Sequence, residues 1–222
     1  MIQIKKTPAT PEIIAVLEKQ KRLKVGNCKQ EIILNQLVED AHEKCYLCEN
    51  KGLVGGEIEH FIPHKEDKEL KFDWMNLLWA CKHCNTLKGT MINLLNPLND
   101  DIENMIDHHL TSLAKDNNPK VEIKALVNDE KVLITVDLLN KIYTGTTFSN
   151  KFSAKTLRDL LMLEVGYFTS YINKFETSSN EQVKDAAAKM IVQMLQDDTP
   201  FAGFKRQIIK DRPRLREKFF YN

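Results

Sequence analysis

The stretch that decides the fold runs CYLC (45–48), GEIEHFIPH (56–64) and DWMNLLWACKHCNTLKG (73–89). Two C-x2-C pairs bracket a polar segment in which a glutamate precedes a histidine, and asparagines stand before and after the second hydrophobic run. Such a pattern is typical of a small metal-stabilised unit, because each cysteine pair presents two thiolates to one ion. The stretch therefore predicts a compact core inside the chain.

The two pairs are formed by Cys45, Cys48, Cys81 and Cys84. Zinc prefers four such ligands in a tetrahedron, and four thiolates close the coordination shell, so this zinc is predicted to be structural. Two independent redox C-x2-C motifs are the alternative, which is disfavoured because neither pair follows a strand in a βαβ pattern. Catalysis must then depend on other residues.

The sequence outside this core is mainly helical in pattern. Apolar residues recur at three and four residue spacing through PEIIAVLEKQKRLK and KQEIILNQLVEDAHEK, and again from residue 153 to the C-terminal segment. The runs KVEIKALV and KVLITV alternate apolar and polar residues around a turn, which predicts a β-hairpin near 120–136. We expect an α+β fold, mostly α, with a helical region at 1–44, the core at 45–95 and a mainly helical region at 96–222.

Charge and hydropathy limit the possible functions. The net charge is +1, yet residues 1–30 and residues 201–222 each carry seven Lys/Arg against two acids, so each end is basic and could bind phosphates. Ordinary solvated helix surfaces would give the same pattern. No run of 18 apolar residues occurs, so we expect a cytoplasmic protein without a membrane segment.

Within the bracket, Glu59 and His60 could serve a metal ion and a general base on neighbouring positions. Alternation sends adjacent side chains to opposite faces of a strand. Both can reach one substrate only if the chain bends or twists there, which the following Pro63 suggests. His64 and Lys88 are further candidates, since a cation suits a phosphate oxygen.

The order of these residues resembles the HNH endonuclease family in its zinc-bearing form. The resemblance is carried by C-x2-C, Glu59-His60 with Pro63, Asn76-Leu77, and C-x2-C-Asn85 with Lys88-Gly89. It implies a ββα-metal core in which His60 is the general base and Asn76 orients the loop that carries the base. It also implies that Glu59 and Asn85 hold a catalytic Mg²⁺ or Mn²⁺, with Glu and Asn standing where many members have Asp and His.

The resemblance implies hydrolysis of phosphodiester bonds, with DNA favoured and RNA such as tRNA possible. A narrower likeness, in IEHFIPH, TVDLLNKIY and TPFAGFKRQIIKDR, is to the HNH subunit of Septu-type anti-phage systems. That likeness implies a defence role beside an ABC-type ATPase subunit. A non-catalytic zinc-ribbon module that binds nucleic acid or protein is the alternative.

Overall fold

The computed structural model describes residues 1–52, 55–111 and 119–220. Its first half consists of two helices followed by a small mixed unit, with these bounds: α1 Pro11–Arg22, α2 Glu31–Asp40, β1 Gly56–His60, α3 Lys68–Lys71, a 3-10 turn Trp74–Asn76, β2 Leu77–Cys81 and α4 Lys82–Lys88. The second half has these bounds: α5 Ile102–Met105, β3 Ile106–Thr111, β4 Lys120–Ala125, α6 Glu130–Thr144, α7 Phe148–Thr177, α8 Glu181–Met194, α9 Ala202–Lys210 and α10 Pro213–Phe220. The predicted α+β class, mostly α, is confirmed.

The ββα unit is formed by β1, β2 and α4. The two strands pair antiparallel in unbroken register, from Gly56 opposite Cys81 to His60 opposite Leu77. Helix α4 begins directly after β2, and the Cys81 side chain caps it by accepting a hydrogen bond from the Cys84 N–H. The polar segment is thereby held between the two cysteine pairs.

The N-terminal helices form where their sequence signals predict. Thr10 caps α1 by accepting a hydrogen bond from the Ile13 N–H, and Pro11 occupies the first turn, where its missing N–H has no partner to lose. Their apolar faces bury Ile13 and Ile33 against the core unit in a cluster that also contains Trp74 and Leu77.

Polar contacts join the segment before α1 to the same unit. The Lys6 ammonium donates to the carbonyls of Trp74 and Leu77. In the opposite direction, the Trp74 indole N–H donates to the Thr7 carbonyl at 2.9 Å. The N-terminal region is therefore fixed to the ββα unit by its backbone as well as by its apolar helix faces.

The predicted hairpin at 120–136 is wrong in its second strand. Residues 130–136 belong to α6, where the Asp129 side chain caps the N–H groups of Lys131 and Val132. The apolar residues of KVLITV continue in helical spacing to Leu139 and bury Val132 and Leu139 completely, so helical packing prevails over the local alternation. Strand β4 pairs instead with β3, antiparallel from Ile106↔Ala125 to Thr111↔Lys120.

Three apolar clusters hold the described residues together. The largest joins the cysteine region and β2 to α6 and α7, the second covers α1 and α2, and the third lies among α7, α8, α9 and α10. The predicted region boundaries after residues 44 and 95 stay a prediction, and residues 53–54, 112–118 and 221–222 of those regions lie outside the described residues. In the described ranges, the helices are too short or too polar to span a membrane.

A substitution at Gly56 tests the packing between β1 and the Trp79 side chain of β2. An ideal Cβ at this position would lie 2.1 Å from Cζ2 of Trp79, so a methyl group would displace the indole that covers the glycine. We expect Gly56→Ala to lower the free energy of unfolding by about 1–3 kcal/mol, measured by denaturant titration of the zinc-loaded protein.

The matched control is Gly166→Ala in α7, where nothing lies within 4 Å of the added Cβ. For this variant we expect no decrease in the free energy of unfolding, and an increase of up to about 1 kcal/mol because alanine has a higher helix propensity than glycine. Equal stability of Gly56→Ala and the parent protein would contradict the packing.

Candidate functional site

The four paired cysteines meet at one point in the fold. One pair lies in the turn after α2, and the other joins the end of β2 to the first turn of α4, the residues being Cys45, Cys48, Cys81 and Cys84. Their four sulfur atoms lie within 4.8 Å of one another, and Cys48 Sγ is 4.0 Å from Cys81 Sγ. Sulfurs bound to one zinc at about 2.3 Å would be roughly 3.8 Å apart in a tetrahedron, so the cluster fits a zinc ion.

The charges of the cluster also fit a dication. Burial opposes ionisation of Cys45, yet hydrogen bonds from the other three thiols lower the pKa of Cys45. Burial and hydrogen bonding with the neighbouring thiols raise the pKa of Cys84 well above its usual range. A Zn²⁺ ion would supply the positive charge that allows all four sulfurs to ionise together, and four sulfur ligands would leave no position for a reactive water.

The cysteine cluster is tied to β2 and to α6. The Tyr46 N–H donates to the Trp79 carbonyl at 3.1 Å, which extends the hairpin with the first cysteine turn. The Tyr143 hydroxyl donates to the Cys48 carbonyl at 2.9 Å, and Nε2 of His83 lies 2.9 Å from the Ile142 carbonyl. His83 is therefore used to hold α6, outside the group of four sulfurs.

Glu59 lies on the face of β1 that packs against α4. Its carboxylate is 2% exposed, with Oε1 2.5 Å from Lys88 Nζ and Oε2 accepting a hydrogen bond from the Tyr46 hydroxyl at 2.9 Å. Burial raises the pKa of Glu59, while Lys88 and Tyr46 act in the opposite direction. Both oxygens of this carboxylate are thus occupied by protein groups.

Lys88, which was predicted to contact phosphate, lies inside the protein. The Lys88 side chain is fully buried, and its ammonium also donates to the His60 carbonyl at 3.1 Å. A buried ammonium that is paired with a carboxylate cannot contact nucleic acid without breaking that pair. Lys88 instead joins α4 to the end of β1.

Asn85 contacts Glu57, a residue that the sequence analysis missed. The Asn85 amide donates to Glu57 Oε2 at 2.8 Å, and both side chains are half-buried. Lys88, one helical turn further along α4, contacts Glu59, and the binding of one ion by Glu59 together with Asn85 stays a prediction. The period of two along β1 could have indicated Glu57, since it shares a face with Glu59.

His60 points to the opposite face of β1. Its Nε2 lies 3.0 Å from the Lys71 carbonyl, and its ring meets the His64 ring edge-on at a centroid distance of 4.7 Å. A carbonyl oxygen only accepts, so Nε2 carries the proton and the neutral ring keeps an unprotonated Nδ1. Burial lowers the pKa of His60, which favours this neutral form.

The strand thus separates Glu59 from His60, as its alternation requires. The register is regular from Gly56 to His60, the last residue of β1, so a bend that brings both side chains to one substrate must follow His60, towards Pro63. Of the four predicted catalytic residues, Glu59 and Asn85 lie on the α4 side of β1, His60 lies on the other side, and Asn76 contacts the loop after the strand.

Asn76 fixes the chain that follows β1. Its Oδ1 accepts from the Ile62 N–H at 2.7 Å, and its Nδ2 donates to the carbonyls of Ile62 and Leu70, each at 2.9 Å. The side chain is 4% exposed, so it contacts the loop and is covered from solvent. This loop carries His64 and leads to the Lys71 carbonyl that His60 binds.

Zinc content tests the cysteine cluster. We expect Cys84→Ser to reduce zinc from one ion per chain and to lower the melting temperature, because a hydroxyl is a poor replacement for a thiolate ligand. The matched control is Cys28→Ser, since Cys28 is buried outside the cluster and its thiol donates to the Lys71 carbonyl at 3.0 Å. Metal analysis that finds the same zinc in both variants would contradict the assignment.

A double-mutant cycle tests the buried ion pair. Glu59→Gln leaves the buried Lys88 ammonium without its counter-ion, and we expect it to lower the free energy of unfolding by about 3–5 kcal/mol. Adding Lys88→Met should restore much of that loss. The control is Asp159→Asn in the exposed Lys155–Asp159 pair, where we expect less than about 1 kcal/mol. Additive effects at positions 59 and 88 would contradict the pairing.

Comparisons with known proteins agree with this geometry. Residues 45–90 match the family model described as HNH endonuclease, a range that includes both cysteine pairs, β1, β2 and α4. A curated relative, Septu protein PtuB of Bacillus thuringiensis, is 36% identical over 77 residues, which are 32% of this chain and 30% of the relative. The match thus spans less than a third of the length of that relative. Residues 45–90 therefore resemble the HNH endonuclease family, and the chain is similar to a Septu protein over about a third of its length.

Proposed function

We propose that this protein is a metal-dependent HNH endonuclease that hydrolyses phosphodiester bonds. The observation that carries the proposal is the His60 imidazole, which the Lys71 carbonyl orients within a segment that matches the HNH family. An imidazole held by one nitrogen and free at the other is suited to general base catalysis. The four-thiolate zinc would hold the unit in shape without taking part in the reaction.

His60 would accept a proton from water. Because Nε2 donates to the Lys71 carbonyl, Nδ1 is the atom that takes the proton as the water oxygen attacks phosphorus. The lowered pKa of His60 keeps the ring neutral, and so able to act as a base, at neutral pH. Asn76 would act as a positioning residue, because it fixes the loop on which both the Lys71 carbonyl and His64 depend.

His64 would contact a phosphate of the substrate. Its Nδ1 accepts from the Glu66 N–H at 3.1 Å, so the neutral ring carries its proton on Nε2 and can donate it to a phosphate oxygen. The edge-on contact with the His60 ring places this donor beside the proposed base. These groups would recognise phosphate and would not distinguish the sugar or the base, so the proposal includes DNA, which the family resemblance favours, and RNA such as tRNA.

A divalent ion, Mg²⁺ or Mn²⁺, fits the oxygen-bearing side chains on the other face of β1. Asn85 and a carboxylate of β1 would hold it, and hard oxygen ligands suit these ions while the thiolates suit zinc. When bound, the ion would supply positive charge that stabilises the phosphorane and the leaving oxygen.

We further propose that the enzyme acts in the cytoplasm as the effector nuclease of a Septu-type anti-phage system under the control of an ABC-type ATPase. The similarity to Septu protein PtuB supports this role. Exposed apolar side chains at the start and in the middle of α7 offer contacts for such a partner, and they are 61–92% exposed: Phe148, Phe152, Leu163 and Tyr167.

A non-catalytic zinc module is the second candidate. It is favoured by the burial of Glu59 and Lys88, because these two charged residues of the motif pair with each other inside the protein. Such a module would bind nucleic acid or a partner through the same unit and would never cleave.

Replacing the proposed base separates the two functions. We expect His60→Ala to lower the cleavage rate by about 10²–10⁴-fold, which is the usual contribution of a general base. Its zinc content should equal that of the parent, and its unfolding free energy should change by no more than about 1 kcal/mol, for the lost hydrogen bond to Lys71. Cleavage of DNA and of tRNA is measured with Mg²⁺ or Mn²⁺, with and without the proposed ABC-type ATPase partner.

The control is His109→Ala on β3, a half-buried histidine outside the site, which should cut at the parent rate. Normal cutting by His60→Ala would contradict the role of the imidazole. Binding of nucleic acid by the parent protein without cleavage under every one of these conditions would favour the non-catalytic module.

A further inference from the structure

We propose that the divalent ion of the nuclease site is bound by Glu57 together with Asn85, and that Glu59 is a structural counter-ion of Lys88. This inference deepens the proposed function and rests on it for the presence of a divalent ion. The observation behind it is that the Asn85 amide contacts Glu57 at 2.8 Å while Glu59 is bound to Lys88 and Tyr46.

Glu59 is not free to ligate an ion. Its carboxylate is 2% exposed, and each oxygen already has a partner, the Lys88 ammonium at 2.5 Å and the Tyr46 hydroxyl at 2.9 Å. An incoming cation would have to displace a buried ammonium and would leave that charge without a counter-ion, which proteins tolerate poorly. Two cations cannot share this pocket without strong repulsion, since the Lys88 side chain is completely buried.

Glu57 and Asn85 meet the requirements of a hard divalent ion. Both side chains are half-buried, so solvent can reach them and water can complete an octahedral shell, as Mg²⁺ and Mn²⁺ prefer. The Asn85 amide now directs its nitrogen at Glu57 Oε2, and a half-turn of the amide group directs its oxygen there instead. A carboxylate oxygen and an amide oxygen then converge on one position.

The fold supports the pairing by placement. Glu57 lies at the second position of β1, opposite Ala80, and remains half-buried, whereas Glu59 is buried. Asn85 lies in the middle of α4, one turn before Lys88, so two successive contacts of α4 fall on two successive residues of the same face of β1. The half-buried Glu57–Asn85 contact can exchange its hydrogen bond for an ion, while the buried Glu59–Lys88 pair remains intact.

The arrangement also separates ion binding from the imidazole. His60 points to the face of β1 that is opposite to Glu57 and Asn85, and it is held by Lys71. Loss of the His60 ring should therefore leave affinity for the ion unchanged, which distinguishes this site from one in which the base and the ion share ligands.

The test is Mn²⁺ binding to the zinc-loaded full chain. Binding is measured as the decrease in the electron paramagnetic resonance signal of free Mn²⁺. We expect Glu57→Gln and Asn85→Ala each to weaken Mn²⁺ binding at least 10-fold. Glu59→Gln, or the doubly substituted Glu59→Gln with Lys88→Met if the single variant does not fold, should bind Mn²⁺ within twofold of the parent. Zinc analysis of each sample verifies that the thiolate cluster remains loaded.

The location of the ion provides a second readout. Paramagnetic Mn²⁺ should broaden the amide signals of residues 57 and 85 at substoichiometric concentration, and it should do so equally in His60→Ala. Binding that survives Glu57→Gln but is lost in Glu59→Gln would overturn the inference, and so would a parent protein that does not bind Mn²⁺ at millimolar concentration. If Glu57→Gln loses Mn²⁺ while His60→Ala cuts normally, the ion site stands and the proposed base fails.

Discussion

Four buried sulfur atoms within 4.8 Å of one another are the constraint on which the rest of this structure depends. The ββα unit between the cysteine pairs is too small to bury a self-sufficient apolar core, and units of this size commonly need a metal or a neighbouring domain to fold. Here the cysteine cluster would provide the metal site, and the helical half provides the neighbouring structure. The cysteine turn lies in the largest apolar cluster, and Tyr143 and His83 connect it to α6 by hydrogen bonds. A zinc ion would therefore stabilise the core and its attachment to the helical half together.

The two-sided nature of β1 distributes the chemistry around this anchor. Glu57 and Glu59 face α4, whereas His60 faces the loop that Asn76 and Lys71 hold. A buried ion pair is expensive to desolvate and adds little net stability, but it is strongly specific for one alignment of its partners. The Glu59–Lys88 pair, with Lys88 also bound to the His60 carbonyl, fixes α4 against the end of the strand. Lys88 thus holds the backbone of His60 from the face of β1 that is opposite to the imidazole, which helps to fix the position of the ring.

The sequence predicted the helices well because their signals are local. Apolar residues at three and four residue spacing indicated α1 and α2 and the helices α7 to α10. The alternation in KVLITV was misleading, since the same residues also fit the buried face of α6 once its full length is included. Strand β3 carried no clear signal, because its sequence IDHHLT includes polar residues whose burial depends on α9 and β4. Lys88 was assigned to phosphate because a lysine in a motif gives no sign of its burial.

The sequence by itself determined the set of reactive groups and their spacing: four thiols in two pairs, one imidazole after a carboxylate, and two asparagines. It also determined that Glu59 and His60 face opposite sides of a strand, because alternation is a property of the extended backbone. Only the tertiary structure decided the contacts of the two carboxylates: Glu59 pairs with Lys88, and Glu57 accepts a hydrogen bond from Asn85. The physical reason is that both carboxylates satisfy the same local pattern, and the choice between them depends on how deeply each is buried where α4 crosses β1.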